Sequence, residues 1–136
     1  MIVVDASVLI DFLLGRKATV DQVLADLRAH NDELLHAPEL IEPEVLQALR
    51  GLERGGHLSE QRASQALSRL ASARLVRHPH TPLRDRVWEL RHNLSAYDAT
   101  YLALAETLRE PMLLTGDKGL AEAAAATLGP DRVHRI

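Results

Sequence analysis

The chain has 136 residues, 46% hydrophobic and 26% charged, so it is long enough for one domain with a substantial core, and we expect residues 1–136 to form a single domain. Its formal net charge of −3 excludes a polybasic protein held to nucleic acid mainly by bulk positive charge. The absence of cysteine excludes disulfides, thiolate metal sites and cysteine catalysis. An aromatic content of 3% disfavours extended stacking of bases on aromatic side chains.

The apolar N-terminal residues are not expected to form a secretory signal. Asp5 and Asp11 interrupt the run that begins Ile2-Val3-Val4, and no basic residue precedes it. No apolar stretch approaches the roughly 20 residues needed to span a bilayer. We therefore expect a cytoplasmic protein with no membrane partner.

Short apolar runs alternate along the chain with longer segments of helical periodicity. This alternation predicts an α/β fold, in which a parallel sheet of four to five strands is covered by helices on both faces. A Gly-Gly pair between the third and fourth long segments predicts an open, projecting helical hairpin. In chain order the predicted elements are strand Ile2–Val4, helix Lys17–His30, strand Leu34–Ala37, helices Leu40–Arg54 and Ser59–Ser72, strand Arg74–Arg77, helices Leu83–Arg91 and Tyr97–Leu108, strand Met112–Thr115, helix Gly119–Leu128 and a short edge strand, Arg132–Ile136.

Two acidic residues follow predicted strands. Asp5 comes directly after the first strand, and Asp117 comes two residues after Thr115, where the fourth strand ends. Open α/β sheets place ligands at the carboxyl ends of their strands. The alternatives remain open for each residue: Asp5 is also a good helix N-cap, and Asp117 also suits a solvated turn.

Two further acidic residues lie on the apolar faces of predicted helices. On a helical wheel, Glu44 falls inside the apolar arc of Leu40–Arg54. Asp98 shares a face with Tyr101 and Leu102, which follow it by three and four residues. Again there are alternatives, because Glu44 can extend to water from the margin of the arc and Asp98 completes a capping box that begins at Ser95.

The coincidence of these acids at one sheet edge is what the alternatives leave unexplained. Two carboxylates about 5 Å apart repel by roughly 3 kcal/mol at an effective dielectric constant near 20. Four together require a cation or bind protons instead. Hard oxygen ligands suit Mg²⁺ or Mn²⁺, whereas the His78-Pro79-His80 spacing and the absence of an H-E-x-x-H motif disfavour zinc. The pattern therefore favours a metal-dependent enzyme that cleaves phosphodiesters.

Two hydroxyl residues accompany the acids at the strand ends. Ser7 follows Asp5 closely and Thr115 precedes Asp117. Their side chains can orient a carboxylate or a water molecule, and helix capping explains them equally well. Basic residues flank the same segments, and as a hypothesis they contact substrate phosphate: Arg91, His92 and Lys118.

Four blocks of sequence, in this order and spacing, resemble the PIN-domain ribonucleases. They are DASVLID from Asp5, APELIEPEVLQALR from Ala37, SAYDATYLALAE from Ser95 and LLTGDKGL from Leu113. The chain is most similar to the toxins of VapBC toxin–antitoxin modules. The resemblance extends from Met1 to Leu120, and the chain beyond Leu120 matches little that is specific.

This resemblance implies a three-layer α/β/α sandwich with a central parallel sheet. It implies a ribonuclease that hydrolyses RNA phosphodiester bonds with one or two Mg²⁺ or Mn²⁺ ions, forms a homodimer, and is inhibited by a cognate VapB-like antitoxin. Thr115 matches the family's hydroxyl before the last acid and is assigned to the catalytic set. The implied metal ligands and catalytic acids are Asp5, Glu44, Asp98 and Asp117.

The acids are expected to divide between two tasks. As a hypothesis, the principal metal is held by Asp5, Glu44 and Asp98, while Asp117 completes that site or binds a second, weaker ion. The metal would activate and orient a water molecule and offset charge on the phosphate.

Two other functions compete with the nuclease. A phosphatase or phosphotransfer domain also carries an Asp after its first strand, but the aspartate-nucleophile phosphatases have D-x-D there, where this chain has Asp5-Ala6-Ser7. A non-catalytic interaction module would use the acidic edge only to bind basic partners. The presence of all four acids argues against that module.

Overall fold

A five-stranded parallel sheet forms the centre of the molecule, which is described here from a computed structural model of residues 1–136. The strand order is β3-β2-β1-β4-β5, and every neighbouring pair is parallel. The predicted parallel sheet of four to five strands is therefore confirmed. The strands are β1 Ile2–Val4, β2 Leu35–Pro38, β3 Leu75–His78, β4 Met112–Thr115 and β5 Val133–Arg135.

The two most apolar strands lie side by side at the middle of the sheet. Every residue of β1 and of β4 is buried, as expected for strands covered on both faces. Ile2 pairs with Met112 and Val4 pairs with Leu114. The residue after β1 continues this ladder, because the Asp5 amide donates to the Leu114 carbonyl at 3.1 Å. The carboxyl ends of β1 and β4 therefore lie next to each other.

Seven α-helices surround the sheet, and two short 3₁₀ turns, at Thr81–Leu83 and Pro130–Arg132, precede α5 and β5. The helices predicted from periodicity all form, with ends within one residue of the expected ones except at the carboxyl end of α5, which lies two residues earlier. The helices are α1 Ala6–Leu13, α2 Lys17–Ala29, α3 Ile41–Arg54, α4 Glu60–Ser72, α5 Arg84–Glu89, α6 Ala96–Thr107 and α7 Lys118–Leu128.

Helix α1 was not predicted. Its sequence, ASVLIDFL, has only eight residues, is mostly apolar and follows β1 directly, and a short apolar run does not distinguish a helix from a strand. Its start is fixed instead by Asp5, whose side chain accepts a hydrogen bond from the Val8 amide. The helix then buries Val8, Leu9 and Leu13.

The helices form two groups on opposite faces of the sheet, which gives the three-layer α/β/α sandwich. Helix α1 contacts α2, α3 and α4, whereas α6 contacts α5, α7 and the strands β1, β2 and β4. The chain moves outward from β1 to β3 and then returns to β4 and β5 on the other side of β1. Because crossovers between parallel strands are right-handed, this change of direction places the two groups of helices on opposite faces. Residues from both groups and from the sheet belong to one contiguous hydrophobic core.

The α3–α4 hairpin packs against the core instead of projecting from it, so the expectation of a projecting arm was wrong. Gly56 has a φ of +75°, the left-handed conformation that glycine adopts readily, and it reverses the chain after α3. Helix α4 then buries Ala63, Ala66 and Leu70. The Arg69 guanidinium also donates to the carbonyl of Leu13 at the end of α1, at 2.7 Å.

Candidate metal and catalytic site

The loops that follow β1 and β4 form the base of the site. Asp5 occupies the first position after β1 and caps α1, and Asp117 lies after β4 and caps α7, where it accepts from the Leu120 amide at 2.7 Å. Thr115 is the last residue of β4 and is fully buried. Parallel pairing of β1 with β4 brings these three residues together, as the sequence predicted.

The Asp5 carboxylate is buried, with only 5% of the residue exposed, and it accepts three hydrogen bonds. One oxygen, Oδ1, accepts from the Ser7 hydroxyl at 2.6 Å and from the Val8 amide at 2.9 Å. The other, Oδ2, accepts from the Thr115 hydroxyl. The capping role weighed for Asp5 is therefore real, and it leaves the second oxygen on the side of β4.

Ser7 and Thr115 play matching parts on either side of Asp5. Each hydroxyl donates to Asp5 and accepts from the β4–α7 turn: Ser7 from the Gly116 amide at 3.0 Å, and Thr115 from the Asp117 amide at 2.9 Å. The turn is tightly packed, because a Cβ added to Gly116 would lie 2.9 Å from the Ser7 Oγ. The two hydroxyls thus hold the loops after β1 and β4 in a fixed relation.

Glu44 approaches the site from α3 and is half-buried. Its Oε1 accepts from the hydroxyl of Tyr101 at 2.8 Å, and Tyr101 itself is only 1% exposed. Burial raises the pKa of Glu44, and repulsion by the carboxylates of Asp98 and Asp5 raises it further. The helical-wheel position predicted from sequence is therefore correct, and the side chain does not extend freely into water.

Asp98 lies in the first turn of α6, which Ser95 caps by accepting from the Asp98 amide at 3.1 Å. The predicted cap is present at the Asp98 amide, and the Ser95 side chain also hydrogen-bonds the Asp98 carboxylate. Burial is the main cause of a raised pKa at Asp98, and the charges of Asp117 and Asp5 add to it. Burial and the nearby carboxylates likewise raise the pKa of Tyr101.

Asp98 lies near enough to both Asp5 and Asp117 for their charges to raise its pKa, and Asp5 and Asp98 act on Glu44 in the same way. None of the salt bridges in the molecule includes any of the four acids. The side chains do not form a closed ligand shell as they stand, since no three His, Asp or Glu groups are placed to hold one metal ion between them. Asp5, Glu44 and Asp117 are instead directed to protein hydrogen-bond donors.

Comparison with known proteins identifies the family of the chain. A sequence profile of the PIN domain matches residues 2–126, from β1 to near the end of α7. The chain belongs to the PIN-domain family. The carboxylate neighbourhood lies entirely within the matched part of this PIN domain, whereas β5 lies beyond it.

Several curated PIN-domain relatives carry the name VapC and match the chain over most of its length. Ribonuclease VapC1 of Mycobacterium tuberculosis is 41% identical over 122 residues, which cover 89% of each chain. Ribonuclease VapC9 of the same organism is 40% identical over 129 residues, or 93% of each chain. Ribonuclease VapC3 is 36% identical over 122 residues, which cover 90% of this chain and 86% of the relative. The resemblance to VapC proteins drawn from the four sequence blocks is confirmed.

The donor chemistry of the PIN domain fits a hard divalent cation. All four side chains at the site offer carboxylate oxygens, and no histidine lies among them. Oxygen-rich, anionic sites favour Mg²⁺ or Mn²⁺ over zinc. The absence of a basic partner leaves negative charge that such an ion would offset.

The basic residues suggested as phosphate contacts lie on the surface and do not touch the acids. Lys118 Nζ lies 3.7 Å from Glu122 on α7. The Arg91 guanidinium lies 4.4 Å from the ring centroid of Trp88, and its Nη1 donates to the Trp88 carbonyl at 2.8 Å. His92 is exposed. Their proposed role in binding phosphate stays a prediction.

Sequence reasoning missed Tyr101 as a member of the site. It lies one helical turn after Asp98, on the same face of α6, and that spacing was noted only as part of an apolar stripe. The signal available was its hydroxyl, since a fully buried tyrosine requires a polar partner. Its partner is Glu44, 57 residues away in the chain, and nothing local identifies it.

No helix of the chain combines the length and the apolar character needed to cross a membrane.

Proposed function

We propose that this chain is a metal-dependent endoribonuclease of the VapC type, which hydrolyses phosphodiester bonds in RNA. The proposal is supported by four carboxylates, from four separate elements of a PIN domain, that lie near the carboxyl edge of the sheet without a basic partner. The relatives named Ribonuclease VapC support the choice of RNA as substrate.

The residues proposed to hold Mg²⁺ or Mn²⁺ are Asp5, Glu44, Asp98 and Asp117, with Thr115 as a supporting member of the catalytic set. When bound, such an ion supplies Lewis acidity and offsets the negative charge of the reacting phosphodiester. Asp5, Glu44 and Asp98 form the principal set in this proposal. Asp117 completes it or serves a second ion.

Asp5 is the most rigid of these ligands. Its three hydrogen-bond donors fix the carboxylate before any ligand arrives, so little conformational freedom remains to be lost on binding. Thr115 and Ser7 act as positioning residues, because each contacts Asp5 and also the turn that carries Asp117. Glu44 must give up or share its bond to Tyr101 to bind a cation, which makes it the most adjustable ligand.

The proposal includes partners and surroundings that go with a VapC toxin. A cognate VapB-like antitoxin inhibits the enzyme, two copies of the chain form a homodimer, and the protein acts on RNA in the cytoplasm. The whole chain, residues 1–136, functions as one nuclease domain. Light scattering of the purified chain tests the dimer, and co-purification with the product of an adjacent short reading frame tests the antitoxin.

The decisive test is cleavage of RNA by the purified chain. We expect cleavage with Mg²⁺ or Mn²⁺, none with a chelator, and recovery when the ion is restored. Asp5→Asn and Asp98→Asn should each retain the fold by circular dichroism and lose at least about 100-fold in activity, as is common when a group that stabilises the transition state is removed. Asp131→Asn is the matched control, because Asp131 is exposed and lies away from the site.

The alternatives give different results in the same assays. Folded Asp5→Asn and Asp98→Asn variants that still degrade RNA at the wild-type rate would refute the nuclease assignment. Release of phosphate from small phosphoesters, with RNA left intact, would establish the phosphatase. A chain that is inactive with every divalent ion but binds a basic partner would be the interaction module.

A further inference from the structure

An apolar groove lies directly beside the carboxylates, between α3 and the first turn of α6. Its volume is about 460 Å³, within the range of small-molecule sites. Two residues connect it to the proposed catalytic centre: Glu44 lines the groove, and Tyr97 immediately precedes Asp98. The lining residues are Leu40, Pro43, Glu44, Gln47, Ala48 and Tyr97.

The Tyr97 side chain contributes little to the packing of the fold. It is 65% exposed, and its hydroxyl makes no hydrogen bond within the chain, whereas Tyr101 on the same helix is 1% exposed and bonds to Glu44. An exposed aromatic ring forgoes the large burial energy that aromatic side chains normally contribute. In a chain with only two tyrosines, one of them is therefore left at the edge of the site with its ring available to a ligand.

We propose that this groove binds one nucleobase of the RNA substrate, next to the phosphodiester that is cleaved, with Tyr97 stacked on the base. This inference rests on the proposed ribonuclease function and adds a substrate-binding subsite to it. Every base has a flat π-face, so stacking on one ring tolerates different sequences. The low aromatic content disfavours extended stacking and is compatible with a single stacking position.

The remaining walls of the groove combine apolar surface with one hydrogen-bonding side chain. Leu40, Pro43 and Ala48 supply apolar surface, and Gln47 supplies an amide that both donates and accepts hydrogen bonds. A base edge presents both donors and acceptors, so Gln47 is placed to favour some bases over others. Because Glu44 is shared, a nucleotide whose base enters the groove carries its phosphate beside the acids.

The test compares variants on intact and abasic RNA. The cleaved bond is first mapped with the wild-type chain on a short single-stranded oligoribonucleotide, and versions are then made with an abasic residue at each flanking position. KM and kcat are measured for Tyr97→Ala, Tyr97→Phe, Gln47→Ala and Leu67→Ala. Leu67 is the matched control, since it is an exposed apolar residue on α4 outside the groove.

We expect Tyr97→Ala to raise KM for intact RNA by between about fivefold and about 150-fold, the loss typical of one stacked base. The change in kcat should be small, since the ring acts in binding. Tyr97→Phe should behave as wild type because it keeps the ring, and Leu67→Ala should have no effect. On one abasic substrate the Tyr97→Ala effect should disappear, because its partner is already missing. Gln47→Ala should alter the preference among bases at that same position.

Failure of this inference can be separated from failure of the proposed function. If the wild type cleaves RNA but Tyr97→Ala leaves KM unchanged, or its effect is equal on all abasic substrates, the subsite is refuted and the ribonuclease stands. If Tyr97→Ala weakens only the binding of a purified antitoxin, the groove is a protein-docking surface and the inference is wrong. A wild-type chain that cleaves no RNA overturns both. Thermal unfolding of Tyr97→Ala should match the wild type, because the side chain is exposed.

Discussion

Thr115 and Asp5 are 110 residues apart in the chain, yet the hydroxyl of Thr115 donates a hydrogen bond to the carboxylate of Asp5 in the buried base of the site. The same hydroxyl accepts from the amide of Asp117 at 2.9 Å. A single side chain therefore links an acid that follows β1 to an acid that follows β4. Neighbouring parallel strands make this link possible, because β1 and β4 end at the same edge.

Replacing Thr115 with Val removes this link while nearly preserving shape. Asp5 retains two donors but loses one at Oδ2, so we expect the free energy of unfolding to fall by about 1–3 kcal/mol. RNA cleavage should fall as well, because Asp5 and Asp117 lose their common support. Thr115→Ser keeps the hydroxyl and is the control. Chemical denaturation and cleavage rates measure both effects, and a Val variant as stable and active as Ser would contradict the role of the hydroxyl.

A side chain at Gly116 is expected to destabilise the protein while Ser7 is present. An added Cβ would lie 2.9 Å from the Ser7 Oγ, which is itself held by Asp5 and the Gly116 amide. Gly116→Ala should therefore cost about 1–3 kcal/mol, as overpacking typically does. In a Ser7→Ala background the same substitution should cost less, because the clashing oxygen is gone. Equal costs in both backgrounds, measured by denaturation in a double-mutant cycle, would exclude this clash as the cause.

Divalent ions should stabilise the fold more at neutral pH than in acid. Burial and neighbouring carboxylates raise the pKa values of Glu44 and Asp98 in the folded chain. At a pH between the unfolded and the folded pKa values, the ion-free folded chain therefore binds protons that the unfolded chain has released. Its stability therefore decreases as pH rises from the unfolded pKa values, about 4, through the raised folded values. A cation binds the charged forms and opposes this loss.

The measurement is unfolding with and without Mg²⁺ at two pH values. At pH near 7.5, Mg²⁺ at about 100 times its Kd should add about 2.7 kcal/mol to the free energy of unfolding, and the gain should shrink near pH 5. Asp98→Asn should lose most of the gain, and Asp131→Asn should keep it. Stabilisation by Mg²⁺ that is equal at both pH values, or unaffected by Asp98→Asn, would argue against binding at these carboxylates.

The paired histidines of β2 and β3 should make the protein less stable in acid. His36 is 5% exposed, and its Nδ1 lies 2.9 Å from Nε2 of His78. Burial, assisted by repulsion from His78, lowers the pKa of His36, although Asp32 partly opposes the shift. The folded chain therefore binds fewer protons than the unfolded chain, so this contribution to stability is complete above the unfolded pKa, about 6.5, and is lost as pH falls through it toward the folded value.

We expect the free energy of unfolding to fall between pH 7 and pH 5, with His36 contributing at most about 1.4 kcal/mol per pH unit. His36→Gln should flatten this slope, whatever its effect on absolute stability. His80→Gln is the control, because His80 is exposed and has no buried partner. Denaturation curves at half-unit pH steps give the slope, and an unchanged slope in His36→Gln would rule out the pair as its source.

Much of the fold could be predicted because its signals are local. Strands β1 and β4 are short apolar runs that are buried throughout, so continuous hydrophobicity identified Ile2–Val4 and Met112–Thr115 without error. Helices α4 and α6 begin after the N-cap residues Ser59 and Ser95, which can be recognised in the sequence. Helix α1 escaped prediction because its eight mostly apolar residues follow β1 directly, and its start depends on a cap formed by Asp5, which is also a proposed site residue.

The sequence by itself determined which residues have the chemistry of the site and the elements on which they lie: Asp5 and Asp117 after strands, Glu44 and Asp98 on apolar helical faces. Only the tertiary structure decided their partners, such as Tyr101 for Glu44 and Thr115 for Asp5. It also decided that capping and site membership coexist at Asp5, where one oxygen caps α1 and the other faces Thr115. The physical reason is the distance along the chain over which each signal acts. Periodicity and caps depend on residues within one helical turn. Side-chain partners depend on strand order and on helices from opposite faces that meet at one edge, and the packing of the whole core sets both.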